Sequence, residues 1–147
     1  MSTELPTIIP AGNVCITPAD LEIVEGFLLN LPQVVCRVTN HFGPGIYIRE
    51  IVMPAGTFVL GQTHKYAHLN ILLCGSIALQ NSDGSVQTLT APYMFVGPPG
   101  RKTLYVLSDT VFLNVYPNPE NITDSDQLDE MFIEKSQTFK TYENKEE

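Results

Sequence analysis

Between Gly56 and Gly75 the chain reads GTFVLGQTHKYAHLNILLCG. Glycines bracket a short apolar run at Thr57–Leu60, a polar stretch holding His64, and the most apolar strand of the chain, His68–Cys74. Successive side chains of a strand point to opposite faces, so His68, Asn70, Leu72 and Cys74 share one face and Leu69, Ile71 and Leu73 the other. The first face runs from polar to apolar along its length, as the wall of a small-molecule pocket does. The second is wholly apolar and must pack on an opposing layer or on a neighbouring molecule.

Working outward, the same short apolar runs recur between glycines and prolines. Strands are predicted at Val34–Val38, Ile46–Met53, Ser76–Gln80, Ser85–Leu89, Tyr93–Val96, Leu104–Leu107 and Thr110–Tyr116. Asn81-Ser82-Asp83-Gly84 is a hairpin signal, because Asp-Gly supplies positive φ readily. Alternation places Tyr47, Arg49 and Ile51 on one face; Thr103 and Tyr105 should turn inward together, as should Phe112, Asn114 and Tyr116. Strands this short and evenly spaced fit a closed barrel or a two-sheet roll. A helix is predicted from the cap Thr17 and Pro18 to Leu31-Pro32, with Leu21, Val24, Phe27 and Leu28 at helical spacing. A second starts at Thr123 or Ser125, and its stripe of Leu128, Met131 and Phe132 needs the barrel or a partner subunit to pack on.

With 147 residues, 44% hydrophobic and 16% charged, the chain has the size and composition of one globular domain. A formal net charge of -8 excludes wrapping a nucleic-acid polymer, which needs a basic stripe. No apolar run approaches the ~20 residues of a membrane span. Met1–Pro10 lacks a basic n-region, and Cys15, Cys36 and Cys74 are odd in number and widely spaced, so reduced thiols in or near the core of a cytoplasmic protein are expected.

The Gly56–Gly75 stretch resembles the first cupin motif: a glycine, five residues, His-x-His, three or four residues, Glu, six residues, and a glycine. Spacing matches throughout, but Gln62 stands at the first His and His68 at the Glu. Pro98-Pro99-Gly100-Arg101-Lys102-Thr103 echoes the second motif with Thr103 at its His. His41-Phe42, Tyr47-x-Arg49-Glu50, His64-Lys65, His68-Leu69-Asn70, Pro92-Tyr93-x-Phe95 and Asp109-Thr110 extend the resemblance to small single-domain cupin-like proteins of bacteriophages and bacteria. It spans Thr17 to Ile133, and Tyr116-Pro117 replaces the His-Pro frequent in that group. The resemblance implies an all-β, cupin-like barrel of the double-stranded β-helix or jelly-roll type, with a short N-terminal helix and a C-terminal helix. Residues 1–16 would form an N-terminal extension, 17–137 the domain with its helices, and 138–147 a flexible tail.

The resemblance makes the His68 face the lumen. Tyr47, Arg49, His64, His68, Asn70, Thr103, Tyr105 and Tyr116 are then the candidate ligand-binding residues. An inward Arg49 cannot shed its charge, so it either clamps an anionic ligand or pairs with a carboxylate near Glu50 or in the acidic C-terminal segment. Lys65, Arg101 and Lys102 flank the motif loops, where ordinary exposure favours solvated roles over rimming the mouth. A divalent transition metal would need His64 and His68 plus a third ligand, for which His41 is the candidate if its turn folds over the mouth. The barrel motifs hold no paired carboxylates, and no Ser-His-Asp order with supporting context is present, so catalytic residues are not assigned. The leading expectation is a non-catalytic barrel for a small polar or anionic molecule, by analogy a phage protein sequestering a nucleotide-derived host signal in the host cytoplasm. A metal-dependent cupin enzyme and a structural or virion interaction module are the alternatives. A homodimer or higher symmetric oligomer is expected through the apolar outer face.

Overall fold

Helix α1, Pro18–Leu29, opens on a capping box: the Thr17 hydroxyl accepts from the Asp20 amide, and the Asp20 carboxylate accepts from the Thr17 amide. The computed structural model describes residues 17–81 and 83–146; the N-terminal extension 1–16, with Cys15, lies outside the described residues. The buried face of α1 differs from the one its apolar spacing predicts. Leu21 and Glu25 point inward, whereas Phe27 is 55% exposed.

Ten strands follow: β1 (Arg37–Gly43), β2 (Ile46–Met53), β3 (Phe58–Leu60), β4 (Thr63–His64), β5 (His68–Cys74), β6 (Ser76–Gln80), β7 (Val86–Thr90), β8 (Tyr93–Gly97), β9 (Thr103–Val106) and β10 (Thr110–Pro117). Helix α2 (Ser125–Phe132), strand β11 (Ile133–Glu134) and helix α3 (Gln137–Glu146) complete the described chain. One sheet has the order β1-β2-β10-β5-β8, a second β3-β9-β6-β7, and β11 pairs with β4. Every pairing is antiparallel. The chain crosses between the large sheets from β2 to β3, β5 to β6, β7 to β8, β8 to β9 and β9 to β10. That repeated crossing is the winding of a jelly roll.

Between the sheets lie Met53, Leu72, Ile77, Leu79, Leu89, Val106 and Phe112. Strand β5 alternates as its sequence predicts, with His68, Asn70 and Leu72 buried and Leu69 and Leu73 exposed. Cys74 departs from that parity and is exposed. The pairing of β5 with β10 slips between Val111 and Phe112, so Cys74 lies opposite outward-facing Val111. Gly75 follows at φ +89, where a Cβ would stand 2.3 Å from the Asp109 carbonyl oxygen, so only glycine lets β5 turn there into β6.

The C-terminal segment closes one end of the barrel. Leu128 and Phe132 of α2 pack on Tyr47 and Tyr116, and the Phe132 and Tyr116 rings stack at 4.4 Å. Burying these two side chains contributes roughly 1.5–3 kcal/mol each. The apolar stripe of α2 is therefore consumed within the chain, which removes it as a virion-docking face. Residues 138–147, expected as a tail, belong instead largely to helix α3, which lies against α1 where Gly26 faces Thr138. Among the described residues no helix is long and apolar enough to cross a membrane.

Candidate functional site

Register sorts the inward side chains of the five-stranded sheet into rows. Arg49 on β2 lies opposite Asn114 on β10, Asn114 opposite Asn70 on β5, and Asn70 opposite Phe95 on β8. This polar row sits between an aromatic row, Tyr47 and Tyr116, and an apolar row, Ile51, Phe112 and Leu72. The Asn114 amide donates to Asn70 Oδ1 at 2.7 Å, tying two of its members.

A cavity of about 100 Å³ lies over the polar row, with Ile51, Met53, Val59, Leu79, Leu104 and Phe112 as its apolar floor and walls. Arg49, His64, His68 and Asn70 line it, as does Lys102 from the segment before β9. The Lys102 ammonium lies 5.7 Å from the centre of the Phe95 ring. Gly97 makes room for it: a Cβ there would meet Lys102 Nζ and Asn70 Nδ2, each at 2.5 Å. Burial pulls the Lys102 amine below the usual lysine range. Among the described residues no Asp or Glu lines the cavity, and neither Arg49 nor Lys102 has an ion-pair partner.

His64 is held by its backbone. Its N–H donates to the Gly100 carbonyl and its carbonyl accepts from the Gly100 N–H, both at 2.9 Å, while β11 pairs along the other side. Its Nδ1 meets the Tyr116 hydroxyl at 3.1 Å, and its ring lies 4.3 Å from that of His68. Burial, then the charges of His68, Lys102 and Arg49, pull His64 down to about 4. Burial also lowers His68, opposed by its bond to the Tyr66 carbonyl. Both rings are neutral at pH 7. His68 Nδ1 faces that carbonyl at 3.2 Å and so carries the proton, leaving Nε2 without one.

The remaining sequence-predicted residues lie elsewhere. Tyr47 and Tyr116 face inward, but Phe132 covers them, and the Tyr47 hydroxyl donates to Asn40. On β9 the inward residues are Leu104 and Val106, so Thr103 and Tyr105 take the other face; Thr103 donates to Gln80 at 3.3 Å. His41 is within β1, not a turn. It pairs with outward-facing Ile48 and binds the Glu50 carboxylate at 3.1 Å, so it cannot join His64 and His68. Lys65 turns to the Glu130 carbonyl in the last turn of α2.

The donor set does not fit a divalent metal. Two imidazoles fall short of the usual three protein ligands, and Lys102 and Arg49 repel a dication from the same space. Among the described residues no three His, Cys, Asp or Glu side chains are placed to hold a metal ion.

Sequence reasoning missed Glu25 and its partners. Glu25, 3% exposed, accepts from Arg101 Nη2 at 2.5 Å and from the Ser136 hydroxyl. Gln62, which lines the cavity, donates to Glu25 and accepts from the Ser136 N–H. Arg101 Nε donates to the Gly61 carbonyl at 2.6 Å. The network joins α1, the cavity wall and the start of α3, and fixes the segment that carries Lys102. The available signal was Glu25 itself, an acid one turn beyond Leu21 on the same face.

No family model matches the chain, and no curated protein matches it. Solved structures do. A cupin superfamily protein from Desulfitobacterium hafniense is similar at 12% identity and TM-score 0.48, covering 63% of this chain and 85% of that one. An RmlC-like cupin family protein with a double-stranded β-helix fold, from Methanocaldococcus jannaschii, is similar at 18% identity and TM-score 0.47, covering 58% and 84%. The EutQ protein of Clostridium difficile is similar at 17% identity and TM-score 0.46, covering 58% and 69%. By its own strand winding, this chain is a jelly-roll barrel with a cavity between its sheets.

Proposed function

We propose that the chain is a non-catalytic binding protein for a small organic anion. The anionic group lies between Arg49 and Lys102, and the apolar remainder rests on the floor of Ile51, Leu104 and Phe112. One observation carries this reading: two cations line a cavity to which no described residue contributes a carboxylate. Even a half-buried cation without a partner loses hydration that nothing replaces, and an anionic ligand compensates both at once. Asn70 Nδ2, close to Lys102 Nζ beside Gly97, adds a neutral donor.

Size sets the ligand class. A cavity of about 150 Å³ holds benzene, so the inner space of about 100 Å³ suits a short carboxylate or similar anion, and any larger part of a ligand projects through the open mouth. In the phage setting that the sequence resemblance implies, the signal captured in the host cytoplasm is a small anionic metabolite. The donor set gives no support to the metal-dependent enzyme.

Calorimetric titration with propionate and with propionamide, which match in shape and differ in charge, tests the reading. A charge-assisted hydrogen bond contributes about 1.5–3 kcal/mol, so the carboxylate should bind roughly tenfold to a hundredfold tighter. Arg49→Gln should remove most of that preference. Equal affinity for the two compounds would overturn the proposal.

A further inference from the structure

We infer that Lys102 captures a small 2-oxo acid covalently and reversibly, as an imine on its side-chain nitrogen. This rests on the anion-binding reading and narrows it: Arg49 holds the carboxylate while the adjacent carbonyl carbon meets Lys102 Nζ.

Several features set Lys102 apart from the other lysines. It lines an apolar cavity, where it is half-buried and has no acceptor among the described residues. Lys65 and Lys135, by contrast, are engaged with the Glu130 carbonyl and the Glu143 carboxylate. Gly97 leaves open the space beside Nζ. Burial favours the neutral, nucleophilic amine, and each unit by which a lysine pKa falls raises its neutral fraction at pH 7 about tenfold. A second cation is already present for the carboxylate, so the amine need not act as the counter-charge.

The chemistry balances without an oxidant or reductant. The neutral amine attacks the carbonyl carbon, the C–N bond forms, and the carbonyl electron pair moves to oxygen. One proton passes from the new ammonium nitrogen to that oxygen, and a second arrives from solvent; the nitrogen lone pair then breaks the C–O bond, water leaves, and a protonated imine remains. The neutral His64 and His68 rings beside Lys102 supply a proton relay. Hydrolysis reverses every step, so this is capture and release with no net reaction.

The test uses the full chain with pyruvate and sodium cyanoborohydride, followed by intact mass and peptide mapping. Propionate is the competitor, and its binding is measured separately by calorimetry. Lys102 should gain one reduced adduct several-fold faster than Lys65, Lys135, Lys140 or Lys145. Propionate should suppress that labelling, and Arg49→Gln should slow it. If propionate binds but adducts spread evenly over the lysines, the imine is refuted and anion binding stands. If propionate does not bind and Lys102 is not selectively labelled, both fail.

Discussion

Replacing Glu25 by leucine isolates the network that docks α1 beside the cavity. The Glu25 and Arg101 side chains are 5% and 8% exposed, so the substitution strands a guanidinium in a dry site with the Gly61 carbonyl as its remaining partner. Removing one member of a buried pair costs about 3–5 kcal/mol, and the Ser136 hydrogen bond is lost as well. The expected destabilisation is therefore about 4 kcal/mol, out of the roughly 5–15 kcal/mol typical of a domain. For a domain near this size that lowers Tm by about 8–16 °C. Adding Arg101→Met to Glu25→Leu removes the stranded charge, and the double variant should lie within about 1–2 kcal/mol of the parent. Urea unfolding followed by circular dichroism measures all corners of the cycle. A single-variant cost below about 1 kcal/mol, or simple additivity of the two changes, would refute the reasoning.

Three further outcomes are expected. His64 falls from 6.5 to about 4 on folding, so its contribution is intact above pH 6.5 and lost as pH falls towards 4. Discounted for the partial exposure of the ring, the loss is about 2 kcal/mol; urea midpoints should fall between pH 6.5 and 5, and His64→Gln should flatten that decline. Gly97→Ala puts a methyl against the end of Lys102 and against buried Asn70, which Asn114 holds, so overpacking of about 1–3 kcal/mol should lower Tm by about 2–12 °C while propionate affinity drops about tenfold or more; unchanged affinity would move the ligand elsewhere. Leu73, Met94 and Val96 are 56%, 67% and 69% exposed on the outer face of the five-stranded sheet. Pairing of two copies through that face is expected, and a light-scattering mass near 16.3 kDa would contradict it.

The fold was legible because β5 and β10 alternate with a period that shows in residue types, polar at one end and apolar at the other. The parity of β9 was not, because it depends on how the Gly97–Gly100 corner enters the strand, and an irregular corner imposes no alternation. The same irregularity hid Lys102, which precedes β9 and turns inward where a strand residue's direction would have been predictable. Tyr47 and Tyr116 faced inward as their positions predict, yet their neighbour is Phe132, remote in sequence from Tyr47 and delivered by α2. His41 was misplaced because β1 extends to Gly43 and pairs through it with β2. Glu25 broke the rule that the apolar stripe of a helix marks its buried face, since Arg101 and Ser136 satisfy its carboxylate.

A crystal structure of the protein grown with propionate bears most directly on the claim that this hollow is an anion site. The carboxylate should lie within hydrogen-bonding distance of both Arg49 and Lys102, with its alkyl end over Ile51 and Phe112. A cavity filled by its own side chains, or propionate bound only on the outer surface, would contradict the account.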